Sequence, residues 1–183
     1  MMLKIYVTDL AAYNSGRLIG EWVELPCCDL ADVIQAVLSK GQQVCGDTLP
    51  HEEMFITDFE FEDDGMSKAC SVGEYSDPYT LNKVAEELSN LEEFERLQVQ
   101  FLLHEGYEFD YAIANYEDVT IYDYRSSTSF QNVYELLAEE LVDDGCFGEI
   151  PANLTYYIDY SAIGRDLSMD YTEFQDGLLG RAS

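Results

Sequence analysis

His104-Glu-Gly-Tyr-Glu-Phe-Asp-Tyr-Ala-Ile-Ala-Asn-Tyr-Glu-Asp-Val-Thr-Ile-Tyr-Asp-Tyr124 holds both the folding pattern and the chemical character of this chain. Phe109, Ala112 and Ile113 recur at helical spacing, and Val119 and Ile121 alternate as in a half-buried strand. A short helix over 109–117 followed by a strand over 119–124 is the expectation. The same stretch carries Glu105, Glu108, Asp110, Glu117, Asp118 and Asp123, and no Lys or Arg. Tyrosines punctuate it at Tyr107, Tyr111, Tyr116, Tyr122 and Tyr124. Neighbouring carboxylates repel and raise one another's pKa. An enzyme seldom gathers so many in one place, whereas a protein that must look like a polyanion needs them.

The rest of the chain extends that character. Of 183 residues, 37 are acidic and 9 basic, a formal net charge of −28, while 47% are apolar. The apolar share is enough for a core and argues against wholesale disorder. Self-repulsion of this size destabilises a compact state, so a fold that tolerates it has a use for it. Direct nucleic-acid binding, which needs clustered Lys and Arg, is excluded as the reading. The excess is no tail: residues 1–60 hold 10 acids and 3 bases, 61–105 hold 11 and 3, and 106–183 hold 16 and 3. An extended negative surface is expected.

Outward from the opening stretch, the pattern is α+β. Residues 2–8 and about 18–25 read as strands, separated by a turn at 11–16 and ended by Pro26. Asp29 reads as an N-cap for a helix through Leu30, Val33, Ile34, Val37 and Leu38, closed by Gly41. Residues 54–62 read as a half-buried strand with an acidic face of Asp58, Glu60 and Glu62. Asp63-Asp64-Gly65 marks a boundary. Two helices follow, about 79–90 and 92–104. The first has Leu81, Val84, Ala85 and Leu88 inward and Glu86 and Glu87 outward. The second has Phe94, Leu97, Phe101 and Leu102 inward, Glu92, Glu93 and Glu95 outward, and Gly106 as its stop. Beyond the opening stretch, Ser129 is expected to cap a helix through about 143. Its inner face is Val133, Leu136, Leu137 and Leu141, and its outer face Glu135, Glu139, Glu140 and Asp143. A strand over 154–160, a helical turn over 161–167, a short strand near 170–174 and a frayed tail after Gly177 complete the reading. The architecture expected is an elongated chain of three small domains: a β-β-α-β unit over 1–62, a helical hairpin over 63–105 and a mixed α+β unit over 106–183.

Motifs for chemistry are weak. With 37 carboxylates, close Asp/Glu pairs arise by chance and do not point to a hydrolase dyad. His51-Glu52-Glu53 lacks the second histidine of a zinc helix, Phe55 standing in its place. His104 reads as a helix-end cation. No Gly-x-Ser-x-Gly, Walker loop or Gly-x-Gly-x-x-Gly occurs. Residues 60–71 resemble a calcium loop in acids at positions one, three and five and Gly at six, but place Lys68 at nine and Ser71 where a bidentate Glu belongs. The five cysteines, at 27, 28, 45, 70 and 146, form no Cys-x-x-Cys pair and read as reduced thiols. The residues from Met1 to Asp9 do not read as a signal peptide, turning polar again at Thr8-Asp9, and no run approaches the roughly 20 apolar residues of a membrane span, so neither is expected. The expectation is a cytoplasmic, non-enzymatic protein without cofactor or metal.

Several motifs, in order, carry a family resemblance. They are Ile5-Tyr6-Val7, Tyr13-Asn14-x-Gly16, Gly20-Glu21-Trp22-Val23-x-Leu25-Pro26 and Glu53-x-Phe55-Ile56-x-Asp58-x-Glu60. Asn115-Tyr116-Glu117-Asp118, Tyr157-Ile158-Asp159-Tyr160 and Gly164-Arg165-Asp166-Leu167 follow. Together they make the chain resemble the ArdA family of antirestriction proteins, carried by plasmids and conjugative transposons. The resemblance implies mimicry of double-stranded DNA, occupation of the DNA-binding groove of type I restriction–modification enzymes, and a curved, elongated homodimer of three-domain chains. The region 105–124 looks like the family's antirestriction motif, part of which also supports the dimer contact. The competing class is an acidic interaction protein that binds another basic, DNA-binding partner. For either, the candidate partner-binding carboxylates are Asp58, Glu60, Glu62, Glu86, Glu87, Glu92, Glu93, Glu105, Glu108, Asp110, Glu117, Asp118, Asp123, Glu135, Glu139, Glu140 and Asp143.

Overall fold

The structure, a computed structural model, describes residues 3–62, 71–128 and 131–182. The Asp63-Asp64-Gly65 boundary, most of the calcium-loop candidate, and Ser129 lie outside the described residues. What is described is mixed α+β, with seven α-helices and two small antiparallel sheets among those residues. It divides into two compact units, Met1–Arg96 and Leu97–Ser183.

In the first unit β1 (Leu3–Asp9) is the middle strand, paired antiparallel with β2 (Gly20–Leu25) and with β3 (Met54–Phe61). β1 alternates as a strand with one face covered: Leu3, Ile5 and Val7 are buried and Lys4 and Tyr6 are half-exposed. Helix α2 (Leu30–Cys45) lays Leu30, Ile34, Val37 and Leu38 inward, and Leu30, Ile34 and Leu38 join the sheet's core. Helix α3 (Pro78–Ser89) starts at a proline in its first turn, where no backbone N–H is needed, with Asp77 as its cap. Its Leu81 and Ala85 join the same core. Asn82 ties it down, accepting from Cys27 N–H at 2.7 Å and donating to Cys27 carbonyl at 3.2 Å.

Three expectations change here. The expected turn at 11–16 is a helix, α1 (Leu10–Asn14), because Asp9 caps it by accepting the Ala12 N–H at 2.9 Å. Gly41 does not close α2. It lies buried inside the helix, whose end is Gly46 at φ +77°. The side chain at Asp29, though in the N-cap position, makes no cap bond; it accepts from the Cys27 thiol at 3.1 Å.

Helix α4 (Glu93–His104) begins in the first unit and runs into the second. Leu97, Phe101 and Leu102 are buried as expected, but Phe94 is 53% exposed, since burial on this helix starts one turn later. Gly106 follows at φ +92° and ends the helix as expected.

In the second unit the sheet order is β4-β6-β5, with β4 at Val119–Asp123, β5 at Thr172–Gln175 and β6 at Leu178–Ala182. The tail expected to fray is the middle strand. Leu178 and Leu179 are fully buried, and β6 pairs antiparallel with β4 from Val119↔Ala182 to Asp123↔Leu178. Helix α5 (Phe109–Asn115) and a 3-10 turn over Tyr116–Asp118 precede β4, close to expectation. Helix α6 (Val133–Asp143) is capped by Asn132, whose side chain accepts the Tyr134 N–H.

The expected strand over 154–160 is absent. Its residues form a 3-10 turn at Thr155–Tyr157, and Asp159 then caps helix α7 (Tyr160–Leu167) by accepting the Ala162 N–H. The aromatic β-propensity there finds no strand partner: Tyr156 is 92% exposed. Gly164 lets α7 approach α6, since a Cβ would meet the Tyr134 carbonyl oxygen at 2.8 Å.

Candidate partner-binding surface

Charged groups need water unless they are paired, so a core of this size forces an excess of carboxylates outward. Among the described residues Asp9 is buried, Glu87, Glu95 and Glu135 are half-buried, and every other carboxylate is exposed. The candidate residues therefore face solvent, with Glu87 and Glu135 partly withdrawn. They fall in both units: Asp58, Glu60, Glu62, Glu86, Glu87, Glu92 and Glu93 in the first, the others in the second.

In the first unit the pleat sets the surface. Asp58 stands opposite Tyr6 and Glu60 opposite Lys4, on the face away from the core. Lys4 is drawn instead to Glu24 on β2, 3.7 Å away, and lies over the Trp22 ring at 5.8 Å. On α3, Glu87 pairs with Lys83 one turn earlier at 3.5 Å, while Glu86 is exposed. At the start of α4 the Glu95 carboxylate accepts the Glu92 N–H at 2.7 Å in the manner of a capping box. Glu92 and Glu93 thus sit at a helix N-terminus, where the backbone dipole favours negative charge.

In the second unit all six carboxylates of the 104–124 stretch are exposed. Glu105 follows α4, 3.7 Å from His104. Glu108 occupies the N-cap of α5 without a side-chain cap bond, and Asp110 lies in its first turn. Glu117 and Asp118 ride the 3-10 turn. Asp123 ends β4 and is gripped by Arg125 through bonds of 2.6–3.1 Å, which hold its carboxyl below the usual carboxylate range. On α6, Glu139, Glu140 and Asp143 point outward. Glu140 also accepts the Tyr124 hydroxyl, and burial together with that carboxylate pushes the Tyr124 phenol far above its ordinary value.

Exposure alone does not set the candidate residues apart. Glu21, Asp32, Glu52 and Glu53 in the first unit are equally exposed, as are Asp144, Glu149, Asp166 and Asp170 in the second. The acid counts of every segment carry that spread in the sequence itself. Sequence also missed Asp9 and His51, which lie 42 positions apart and meet in the interior. Nothing in either local pattern announces that contact.

No acid–base dyad is assembled in the groove between α6 and α7, an open space of about 340 Å³ lined by Asn132, Tyr134, Glu135, Ser161, Gly164, Arg165 and Ser168, with one carboxylate. Among the described residues no group of three or more His, Cys, Asp and Glu is placed to hold a metal ion. Cys27, Cys28, Cys45 and Cys146 are free thiols, and no described helix is long and apolar enough to cross a membrane.

Fold and surface define an acidic α+β protein whose carboxylates face solvent on nearly every element. Residues 5–179 match the family model of the antirestriction protein ArdA, and the chain belongs to that antirestriction family. A comparison with curated proteins finds no match.

Proposed function

We propose that this protein acts as a mimic of double-stranded DNA, occupying the DNA-binding groove of type I restriction–modification enzymes at their methyltransferase core. The observation that carries this reading is the exposure of carboxylates across both units, with Lys4, Lys83 and Arg125 each drawn into a local pair with an acid. B-DNA carries one negative charge per roughly 1.7 Å of axis. A chain at −28 then matches roughly 48 Å of duplex, and a dimer about 95 Å. A groove that neutralises phosphates with Lys and Arg accepts carboxylates at similar spacing. It does so with electrostatic steering that salt weakens.

In this reading the chain is a binding protein rather than an enzyme, and needs neither cofactor nor metal. It works in the cytoplasm, where restriction enzymes meet incoming DNA, and it serves the mobile element that encodes it. It forms a homodimer, each chain comprising three small domains at 1–62, 63–105 and 106–183. The test is competition: the protein should displace labelled duplex DNA from a purified type I methyltransferase core, less effectively as salt rises. Failure to displace at low salt from several such cores would return the charge to an acidic protein with another basic partner.

A further inference from the structure

Tyr107 and Tyr111 stack with ring centroids 4.7 Å apart and planes 14° from parallel, yet remain 45% and 47% exposed. Stacking is one of the arrangements aromatic pairs favour, and the local backbone brings these two rings within reach of it. Gly106 turns left-handed at φ +92°, the Tyr107 N–H reaches back to the Leu102 carbonyl at 3.1 Å, and Tyr111 is fixed in α5 two residues after its start. The pair is therefore a pre-formed aromatic plate, with little side-chain freedom left to lose on binding.

The chain shows what its aromatic rings attract where a cation is available. Lys4 lies over Trp22 at 5.8 Å, and the Arg181 guanidinium over Tyr171 at 5.5 Å. Residues 97–124, the stretch that carries Tyr107 and Tyr111, contain no Lys or Arg. They supply carboxylates instead. Glu108 is the N-cap of α5, three positions before Tyr111 and hence its neighbour on the helix surface, and makes no cap bond with its side chain. A flat ring face with a carboxylate one turn away fits one side chain best. Guanidinium is planar, stacks on aromatic faces and donates to carboxylates from its edge; an ammonium is compact, strongly hydrated and does neither as well.

We propose that the Tyr107–Tyr111 plate receives an arginine side chain of the basic protein groove that this protein occupies, its guanidinium lying on the open ring face and donating to Glu108. This rests on the reading of the previous section. It adds that the recognition there is not charge alone: duplex DNA would offer that arginine a phosphate or a base edge, and this protein offers an aromatic face.

The test uses the full-length protein and the same displacement of labelled duplex from a type I methyltransferase core, at low and at moderate salt. The Tyr107→Leu/Tyr111→Leu pair keeps apolar bulk without a ring, and Tyr107→Phe/Tyr111→Phe keeps the ring. The leucine pair should weaken displacement roughly tenfold at both salt concentrations, because a ring–cation contact is short-ranged. The phenylalanine pair should stay within about twofold of the parent. Glu108→Gln should weaken displacement mainly at low salt. Thermal unfolding and sedimentation of each variant accompany the assay. If the parent displaces DNA and the leucine pair matches it, the plate has no such role, while the DNA-mimic reading survives. If the leucine pair instead loses self-association, its occupant is a second copy of the chain and the inference is overturned. If the parent does not displace DNA at all, the mimic reading fails and this inference with it.

Discussion

The Nδ1 of His51 lies 2.6 Å from the Oδ2 of Asp9, and both side chains are closed off from solvent. On its other side, His51 Nε2 is 2.9 Å from the partly exposed Asp47 carboxylate. Asp9 is committed further: its Oδ1 accepts the Ala12 N–H that starts α1. One histidine thus joins the end of β1, the start of α1 and the segment after α2. The bonds from Asp9 and then Asp47 raise the His51 pKa above its ordinary value, in a chain whose net charge is −28.

A histidine whose pKa is higher folded than unfolded adds stability that is complete below the unfolded value, about 6.5, and fades as pH rises through the folded value. Urea midpoints of the native protein should accordingly fall as pH climbs from about 6.5 into the alkaline range. His51→Gln should flatten that slope. An unchanged slope in the variant would assign the pH dependence to other groups.

Gly41 sits in α2 against the Asp9 carboxylate, and an added Cβ would run into it. Alanine is otherwise the better helix former by about 1 kcal/mol. Here the clash should dominate, and Gly41→Ala should destabilise the protein by roughly 1–3 kcal/mol. Chemical denaturation measures it; a stabilised variant would mean that Asp9 can move aside.

Leu179 is fully buried on β6 and packs with Leu137, Leu141 and Tyr171. Leu179→Ala should cost about 2–5 kcal/mol. Removing residues 178–183 should do more, abolishing protection of the β4 amides from hydrogen exchange, since β4 pairs with β6. Persistent protection would show that β4 stands without its partner.

Because the carboxylates are dispersed, neutralising one exposed residue such as Glu139 should change DNA displacement by less than about twofold, the worth of an exposed charge contact. Converting Glu139, Asp143, Glu117 and Asp118 together to their amides should reduce both the affinity and its salt slope. A single exposed carboxylate whose loss abolishes inhibition would replace the distributed footprint with a focal one.

The elements whose partners are close in sequence, or whose faces are strongly periodic, were legible before any coordinates. β1, β3, α3 and α4 fall within a residue or two of expectation. The misreadings share one cause, which is that tertiary partners decided them. Tyr156-Tyr157-Ile158 looks like a strand, but no strand is there to accept it, and Asp159 opens a helix. Leu178-Leu179-Gly180-Arg181 is too short to announce itself, and it is a strand because β4 and β5 flank it. Gly41 resembles a helix stop, and it is a glycine because Asp9 needs the space. The acidic surface was legible in kind from composition alone. The aromatic stack within it was not, because parallel rings require the turn at Gly106.

The position of β6 sets an order of events during synthesis. The first unit can assemble its three strands once Phe61 has emerged. The second cannot close its sheet until Ala182 has been made, because the strand translated last is the one between the other two. Until then β4 waits with an unpaired edge, a state prone to wrong pairing with other chains. Like charges in the stretch beside β4 repel between chains, a property the carboxylates have before β6 is translated and before any partner is met.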